Sequence, residues 1–237
     1  MTESVDLDRR GRVAVLTVNN PPVNALSQHV RKGLHDGLGQ AGADAGAQAV
    51  VITCAGRTFI AGADITEFGK PPTEPSLHAV LALIEGSAKP VVAAIHGTAL
   101  GGGLEVTLAC HYRVGVKGAR FGLPEVKLGL LPGAGGTQRL PRVVGVQKAL
   151  QMIVSGDPIG ADEALAHGLL DEIVEGDLAT AGVAFAEKVL GEKRPLKKIR
   201  DLTDKIAAAK GKPEIFAEFR KSVARQTRGF RAPENCI

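Results

Sequence analysis

Two uninterrupted apolar runs set the first limit on this chain. AQAVVITCAG occupies residues 47–56 and KPVVAAIHG residues 89–97. Successive side chains of a strand point to opposite faces, so a strand with one wet face alternates apolar and polar. A run that is apolar at every position reads as a strand covered on both faces. Helical candidates lie around these runs. They are Ser27–Leu38, with Ser27 as an N-cap, and Pro75–Glu85. Gly33 and Gly37 weaken the first. GRVAVLTVNN (11–20) alternates and reads as a strand closed by Asn-Pro-Pro. HYRVGVKGARFG (111–122) reads as a hairpin or as two short strands turning at Lys117-Gly118.

The second half changes character. Residues 136–156 continue in helical period from a Thr137 cap candidate, residues 160–174 give a short helix and a strand-like end, and Asp177–Leu190 is a helix. After Gly191 the chain is mostly Lys, Ala, Arg and Glu and reads as helical. Strands and helices alternate early and helices dominate late, the pattern of α/β layers with a helical C-terminal segment.

Composition narrows the function. The chain has 237 residues, enough for one large domain or a domain with an appendage. Single-stranded nucleic acid is held by stacking on aromatics. With no Trp and one Tyr, the composition argues against such a platform, and no nucleic-acid partner is expected. No apolar run approaches membrane-spanning length, so no membrane insertion is expected. The net charge of +4 is uneven, because Glu187–Arg231 holds 14 Lys and Arg against 6 Asp and Glu. Such a segment suits nucleic acid, an anionic membrane, a phosphate-bearing ligand or an acidic neighbouring domain, but reads first as a solvated helical face. Cys54, Cys110 and Cys236 form no CxxC pair, and MTESVDLDRR has no apolar signal core. The expectation is a reduced, cytoplasmic protein.

Familiar sites are missing. There is no GxSxG, no GxxxxGK[ST] and no HExxH, and the clusters 101–103 and 133–136 do not fit GxGxxG. What remains is two carboxylates and a set of glycines. Glu105 follows Gly101-Gly102-Gly103 and is flanked by Leu104 and Val106. Glu125 follows FGLP, near Leu123, Val126 and Leu128. Desolvation favours the neutral form of a glutamate and moves its pKa into the range useful for proton transfer. Either glutamate alone also reads as a helix-start residue meeting the dipole. Glycines at a helix start let backbone N–H groups approach an oxyanion closely. GGGLE supplies one such start, and FIAGADITEF (59–68), bending at Gly62, supplies a second.

Together, FIAGADITEF, HGTALGGGLEVTLACHYRV and FGLPEVKLGLLPGAGGTQRLPRVVG resemble the crotonase superfamily, and within it the enoyl-CoA hydratases. The order matches, as does the spacing of 20 positions between the two glutamates. PPVNALS (21–27) resembles the family's first acyl-CoA-contacting loop. The resemblance implies an α/β spiral of repeated ββα units over residues 1–190, with a basic helical segment at 191–237. It implies syn addition of water to a 2-trans-enoyl-CoA. Glu105 would help deprotonate the water and Glu125 would deliver a proton to the α-carbon. The N–H groups of Ala63 and Gly102 would hold the thioester oxygen. Ala25, Leu26, Ala61, Asp64 and Ile65 would line the coenzyme A groove, and Gly101 and Pro124 would complete the substrate site. Coenzyme A enters as part of the substrate, and neither a separate cofactor nor a metal is implied.

The wording inside the motifs is closest to the N-terminal hydratase part of multifunctional β-oxidation enzymes, in which a dehydrogenase domain follows. TRGFRAPENCI resembles the join to that domain. The expected partners are an acyl-CoA thioester and either a covalently linked dehydrogenase or further copies of the chain in a trimer. GKPPTEPS (69–76) is short where many relatives carry a longer acyl-pocket helix, which leaves chain length open. Enoyl-CoA isomerisation is the alternative chemistry, since one carboxylate at the Glu125 position suffices for it. A non-catalytic acyl-CoA-binding module is the alternative of another class.

Overall fold

The two apolar runs form neighbouring strands of one sheet. In the computed structural model, which describes residues 4–237, they are β3 (Ala49–Cys54) and β4 (Val91–Ile95), buried at every position. They follow β1 (Val5–Arg10) and β2 (Val13–Val18), which pair antiparallel. All later pairings in this sheet are parallel: β2 with β3, β3 with β4, β4 with β6 (Tyr112–Val116), and β6 with β9 (Glu172–Val174). A smaller sheet joins β5 (Thr98–Leu100), β7 (Arg120–Gly122) and β8 (Ile159–Gly160).

The period-2 alternation of the strands sorts the large sheet into two faces. Val13, Val15, Ala49, Val51, Val92 and Ala94 meet Phe185, Ala186 and Val189 of α7 (Leu178–Gly191). Ala14, Leu16, Val50, Ile52, Ala93 and Ile95 face the larger core. That core is built by α1 (Gln28–Ala43), α2 (Leu77–Gly86) and α3 (Gly102–Ala109). It extends to α4 (Gly136–Val144), α5 (Val146–Ser155) and α6 (Ala161–Ala166). Ser27 caps α1 through Val30 N–H, and Ser76 caps α2 through Ala79 N–H.

The winding is ββα. The chain leaves β4 of the large sheet, adds β5 to the small one and enters α3. It repeats this through β6 and β7, then a 3-10 turn (Pro124–Leu128) and α4. Residues 111–122 are therefore two strands turning at Lys117-Gly118 and not a hairpin. Ala119 N–H donates to Val116 O and Arg120 N–H to Gly97 O, which carries the chain from one sheet to the other.

Two further expectations change. Residues 136–156 form two helices, because Gly145 has φ of 87° and both ends α4 and starts α5. The cap of α4 is Gly135, at φ 95°, rather than Thr137. β1 was hidden in the sequence by its four charged residues, which suit the edge of a sheet. After Gly191 come a 3-10 turn (Ile199–Asp201), α8 (Asp204–Ala207), α9 (Pro213–Val223) and α10 (Arg231–Asn235). Some of the basic charge there has local partners. Lys205 Nζ donates to Val143 O and His167 O, near the C-termini of α4 and α6. Arg220 pairs with Glu234 at 2.8 Å.

The close packing of α3 generates a test. A Cβ on Gly103 would overlap the carbonyl of Ile60, whereas one on Gly39 of α1 meets nothing within 4 Å. Gly103→Ala should lower stability in urea unfolding by about 3 kcal/mol or more, since the overlap is with backbone. Gly39→Ala should raise it by roughly 0.5–1 kcal/mol through helix propensity. An unchanged midpoint for Gly103→Ala would contradict this packing.

Candidate active site

The backbone around α3 brings two N–H groups together. Leu100 N–H donates to Ile60 O at 3.0 Å, which holds β5 against the segment leading to Ala63. Leu26 forms a parallel bridge with Ala63, and Leu26 N–H donates to Gly62 O at 2.9 Å. In a parallel bridge the bonds run to the residues on either side of Ala63, so the N–H of Ala63 itself points away from Leu26. Gly102 is the first residue of α3, where an N–H has no acceptor within the helix. A Cβ placed on Gly102 would lie 3.9 Å from Ala63 N and 2.9 Å from Leu26 Cδ1. Ala63 and Gly102 thus meet side by side at the positive end of α3. Gly62 at φ 128° and Gly101 at φ 53° make the two bends, conformations that side chains rarely adopt.

Glu105 stands in the first turn of α3 and is 2% exposed. Its Oε1 accepts from Ala134 N–H at 2.7 Å and from Gly136 N–H at 2.8 Å. Burial raises its pKa, while these two hydrogen bonds and the nearby Arg139 and His78 oppose the rise. Glu125 is the second residue of the 3-10 turn. A Cβ on Gly101 would lie 3.3 Å from Glu125 Oε1, which puts this carboxyl beside the same glycine bend. Its Oε2 is buried without a hydrogen-bond partner. Burial above all, with a contribution from the charge of Glu105, pushes its pKa up to about 7. The environment separates the pair. Burial raises both; two amides hold the rise back at Glu105, while Glu125 keeps its proton close to neutral pH.

Leu26, Ala63, Gly101, Gly102, Glu105 and Glu125 are therefore brought together. Ala61 N–H donates to Val23 O at 3.2 Å, and Ala25 O accepts from Asn20 Nδ2 at 3.0 Å, so both residues shape the neighbouring loop. Asp64 caps the short turn Ile65–Glu67 through Thr66 N–H, and Ile65 is exposed at the surface. Pro124 opens the 3-10 turn, and its Cα would lie 3.2 Å from a Cβ on Gly156.

Sequence reasoning passed over other groups. Gly133–Gly136 was set aside because it fits no phosphate-binding pattern, yet its amides hold Glu105. A glycine cluster shortly after the second glutamate was the available signal. Buried Arg31 of α1 ties down the loop that follows Asp64. It pairs with Glu67 at 2.8 Å and donates to Leu26 O, Thr73 O and Pro75 O. No helix forms across 69–76. At the other side, α9 and α10 enclose a cavity of about 600 Å³ against Val126, Lys127 and Val154. Cys236 lies near enough that the charge of Glu125 helps burial raise its thiol pKa.

The raised pKa of Glu125 carries a stability test. The folded chain binds this proton more tightly than the unfolded chain, so the contribution is complete below the ordinary value of 4.5 and is lost as pH rises toward about 7. His111, whose pKa burial lowers from 6.5 to about 4, pulls stability the other way across the same window, so the test is a difference: relative to Glu125→Gln, the wild type should lose unfolding free energy as pH rises. An identical slope in the variant would contradict the burial of this carboxyl.

Known proteins fit this geometry. The family model described as Enoyl-CoA hydratase/isomerase matches residues 8–227. A Danio rerio protein named Peroxisomal bifunctional enzyme is 44% identical over 225 residues, 95% of this chain and 31% of that protein. The chain thus spans about a third of that relative's length. A Bacillus subtilis protein named Probable enoyl-CoA hydratase is 48% identical over 190 residues, 74% of this chain and 73% of that one. Among solved structures, an enoyl-CoA hydratase from Mycobacterium tuberculosis H37Rv superposes with a TM-score of 0.75 at 30% identity, covering 99% of this chain and 94% of that one. The paired glutamates, the neighbouring Ala63 and Gly102 and the ββα winding stand in a chain that belongs to the enoyl-CoA hydratase/isomerase family.

Proposed function

We propose that the chain is an enoyl-CoA hydratase of fatty-acid β-oxidation that adds water across a 2-trans-enoyl-CoA. The observation that carries this is the pair of buried carboxylates, one bonded by two amides and the other with an unpartnered oxygen, beside the neighbouring residues Ala63 and Gly102. The thioester oxygen lies against the N–H groups of Ala63 and Gly102. Glu105, charged, takes a proton from water as its oxygen bonds to the β-carbon. The double-bond electrons move onto the thioester oxygen, where the two amides stabilise the enolate. Glu125, protonated, gives its proton to the α-carbon from the same side, and solvent restores both carboxyls. The product is a 3-hydroxyacyl-CoA, and the reaction needs no cofactor beyond the coenzyme A of the substrate. An isomerase would need only the carboxyl at position 125. The amide grip on Glu105 is what favours hydration, with double-bond migration as a side activity.

The larger setting belongs to the same proposal. Residues 1–190 are the catalytic spiral and 191–237 a basic helical segment. The segment faces either a linked dehydrogenase domain, as the partial span of the bifunctional relatives suggests, or other copies of the chain. The three free cysteines suit a reducing compartment such as the cytoplasm. No helix among the described residues is long and apolar enough to cross a membrane.

Loss of conjugated enoyl-thioester absorbance with crotonyl-CoA tests the activity. The wild type should consume it and yield 3-hydroxybutyryl-CoA. Glu125→Gln and Glu105→Gln should each cost roughly 10²–10⁴-fold in kcat with thioester binding retained, the range for a lost general acid or base. Gly102→Pro, which removes the amide, should cost on the order of a hundredfold or more. Full turnover in Glu125→Gln would refute its role. Consumption of a 3-enoyl-CoA with none of crotonyl-CoA would favour the isomerase reading.

A further inference from the structure

We propose that Arg139, locked by Glu85, is a positioning residue that holds the 133–136 turn in the conformation that grips Glu105. The proposal rests on the hydratase reading only for its kinetic consequence. Glu85 sits in the last turn of α2 and is 3% exposed. A buried carboxylate at a helix C-terminus faces free carbonyls and needs a close cation. Arg139 of α4 supplies it in a two-pronged pair, Nε to Oε1 at 2.8 Å and Nη2 to Oε2 at 3.1 Å. Arg200, from the 3-10 turn Ile199–Asp201, stands 3.5 Å from the same Oε2.

The third nitrogen of the guanidinium does something else. Arg139 Nη1 donates to Ala134 O at 2.9 Å. Three consecutive peptides are therefore gripped from two sides. The N–H groups of Ala134 and Gly136 turn to Glu105, and the carbonyl between them turns to Arg139. The same nitrogen covers Gly135, where a Cβ would overlap it and where φ is 95°. Both the backbone angle and the guanidinium thus demand glycine at 135. Without Arg139, the Ala134 carbonyl loses its partner, the turn is free to rotate, and the two amides leave the carboxylate. Glu85, in turn, would be left buried and paired only with the more distant Arg200.

Arg139 also acts through space. The charged and titratable groups around Glu105 are Arg139 from α4, His78 from α2 and Glu125 from the 3-10 turn. Arg139 and the two amides all favour the charged form of Glu105. Its charge alone lowers the Glu105 pKa, so Arg139→Lys and Glu85→Gln, which keep a positive charge at position 139, are the variants that separate the grip on the turn from the charge.

The test reads the carboxyl directly. Protein labelled with carbon-13 at glutamate carboxyls is titrated by NMR, and Glu105→Gln identifies the Glu105 signal. In Arg139→Gln the Glu105 midpoint should move up, and in Arg139→Lys it should move less, since a lysine keeps the charge but not the fork. With crotonyl-CoA, kcat of Arg139→Gln should fall roughly ten- to hundredfold with KM near the wild-type value, the scale of a small misplacement of a catalytic group. Glu85→Gln, which weakens the lock without touching the turn, should shift the midpoint in the same direction and serves where Arg139→Gln fails to fold. A Glu105 midpoint unchanged in folded Arg139→Lys and Glu85→Gln, which keep the positive charge, overturns the proposal, whatever the rates and whatever Arg139→Gln shows. A wild type idle on crotonyl-CoA would sink the hydratase reading, and the NMR midpoints would still decide the role of Arg139.

Discussion

The site depends on one contact: the oxygen of Glu105 held between the amides of Ala134 and Gly136. Glu105 lies in the first turn of α3, and the two amides flank Gly135, the cap of α4, so the contact joins the starts of two helices. Both helix dipoles favour negative charge at that point. A carboxylate 2% exposed would otherwise shed its charge by taking a proton. Because the charge of Glu105 is satisfied locally, Glu125 can remain protonated close by without a partner for its Oε2. The difference between the two carboxyls at one site thus comes from two inter-segment amides given to Glu105, against its own backbone amide alone and an unpartnered Oε2 at Glu125.

The fold serves this contact through close approach. Each ββα turn ends by starting a helix near the edge where the two sheets part, and the helix starts at Gly102 and Gly136 are delivered there. Side chains would keep these backbones apart. A Cβ on Gly103 would overlap Ile60, and one on Gly136 would press on Leu123 and on Glu105 itself. The glycine richness of the chain is in this sense the cost of packing helix starts against strand ends. The apolar strands Ala49–Cys54 and Val91–Ile95 do the opposite task, a rigid platform covered by α7 on one face and by α1, α2 and α3 on the other.

Much of this was legible in the sequence. The doubly covered strands showed as unbroken apolar runs, the cap of α1 as Ser27, and the reactive pair as two glutamates among apolar neighbours. Local pattern failed where a distant contact decided the outcome. Period alone does not tell that β6 and β7 belong to different sheets, since both are short, Gly-containing and joined by a tight turn. Nor does it show that Gly145 breaks a long helix, because a glycine in mid-helix and a glycine at φ 87° look alike in sequence. The grip on Glu105 was hidden for a related reason. It is made by main-chain N–H groups 29 and 31 positions away, and main-chain groups carry no residue signature. Arg139 and Glu85, 54 positions apart, carry no local sign of their pairing, which the fold makes by bringing α2 against α4.

The account stands or falls on whether both carboxylates act on one water and one substrate. Crotonyl-CoA incubated with the chain in deuterium oxide enriched in oxygen-18, with the product analysed by mass spectrometry and NMR, measures this most directly. The account predicts 3-hydroxybutyryl-CoA with one oxygen-18 at the β-carbon and one deuterium at the α-carbon, delivered to the same face as the oxygen. Return of crotonyl-CoA carrying deuterium but no oxygen-18, or a product with deuterium scattered over both faces of the α-carbon, would contradict it.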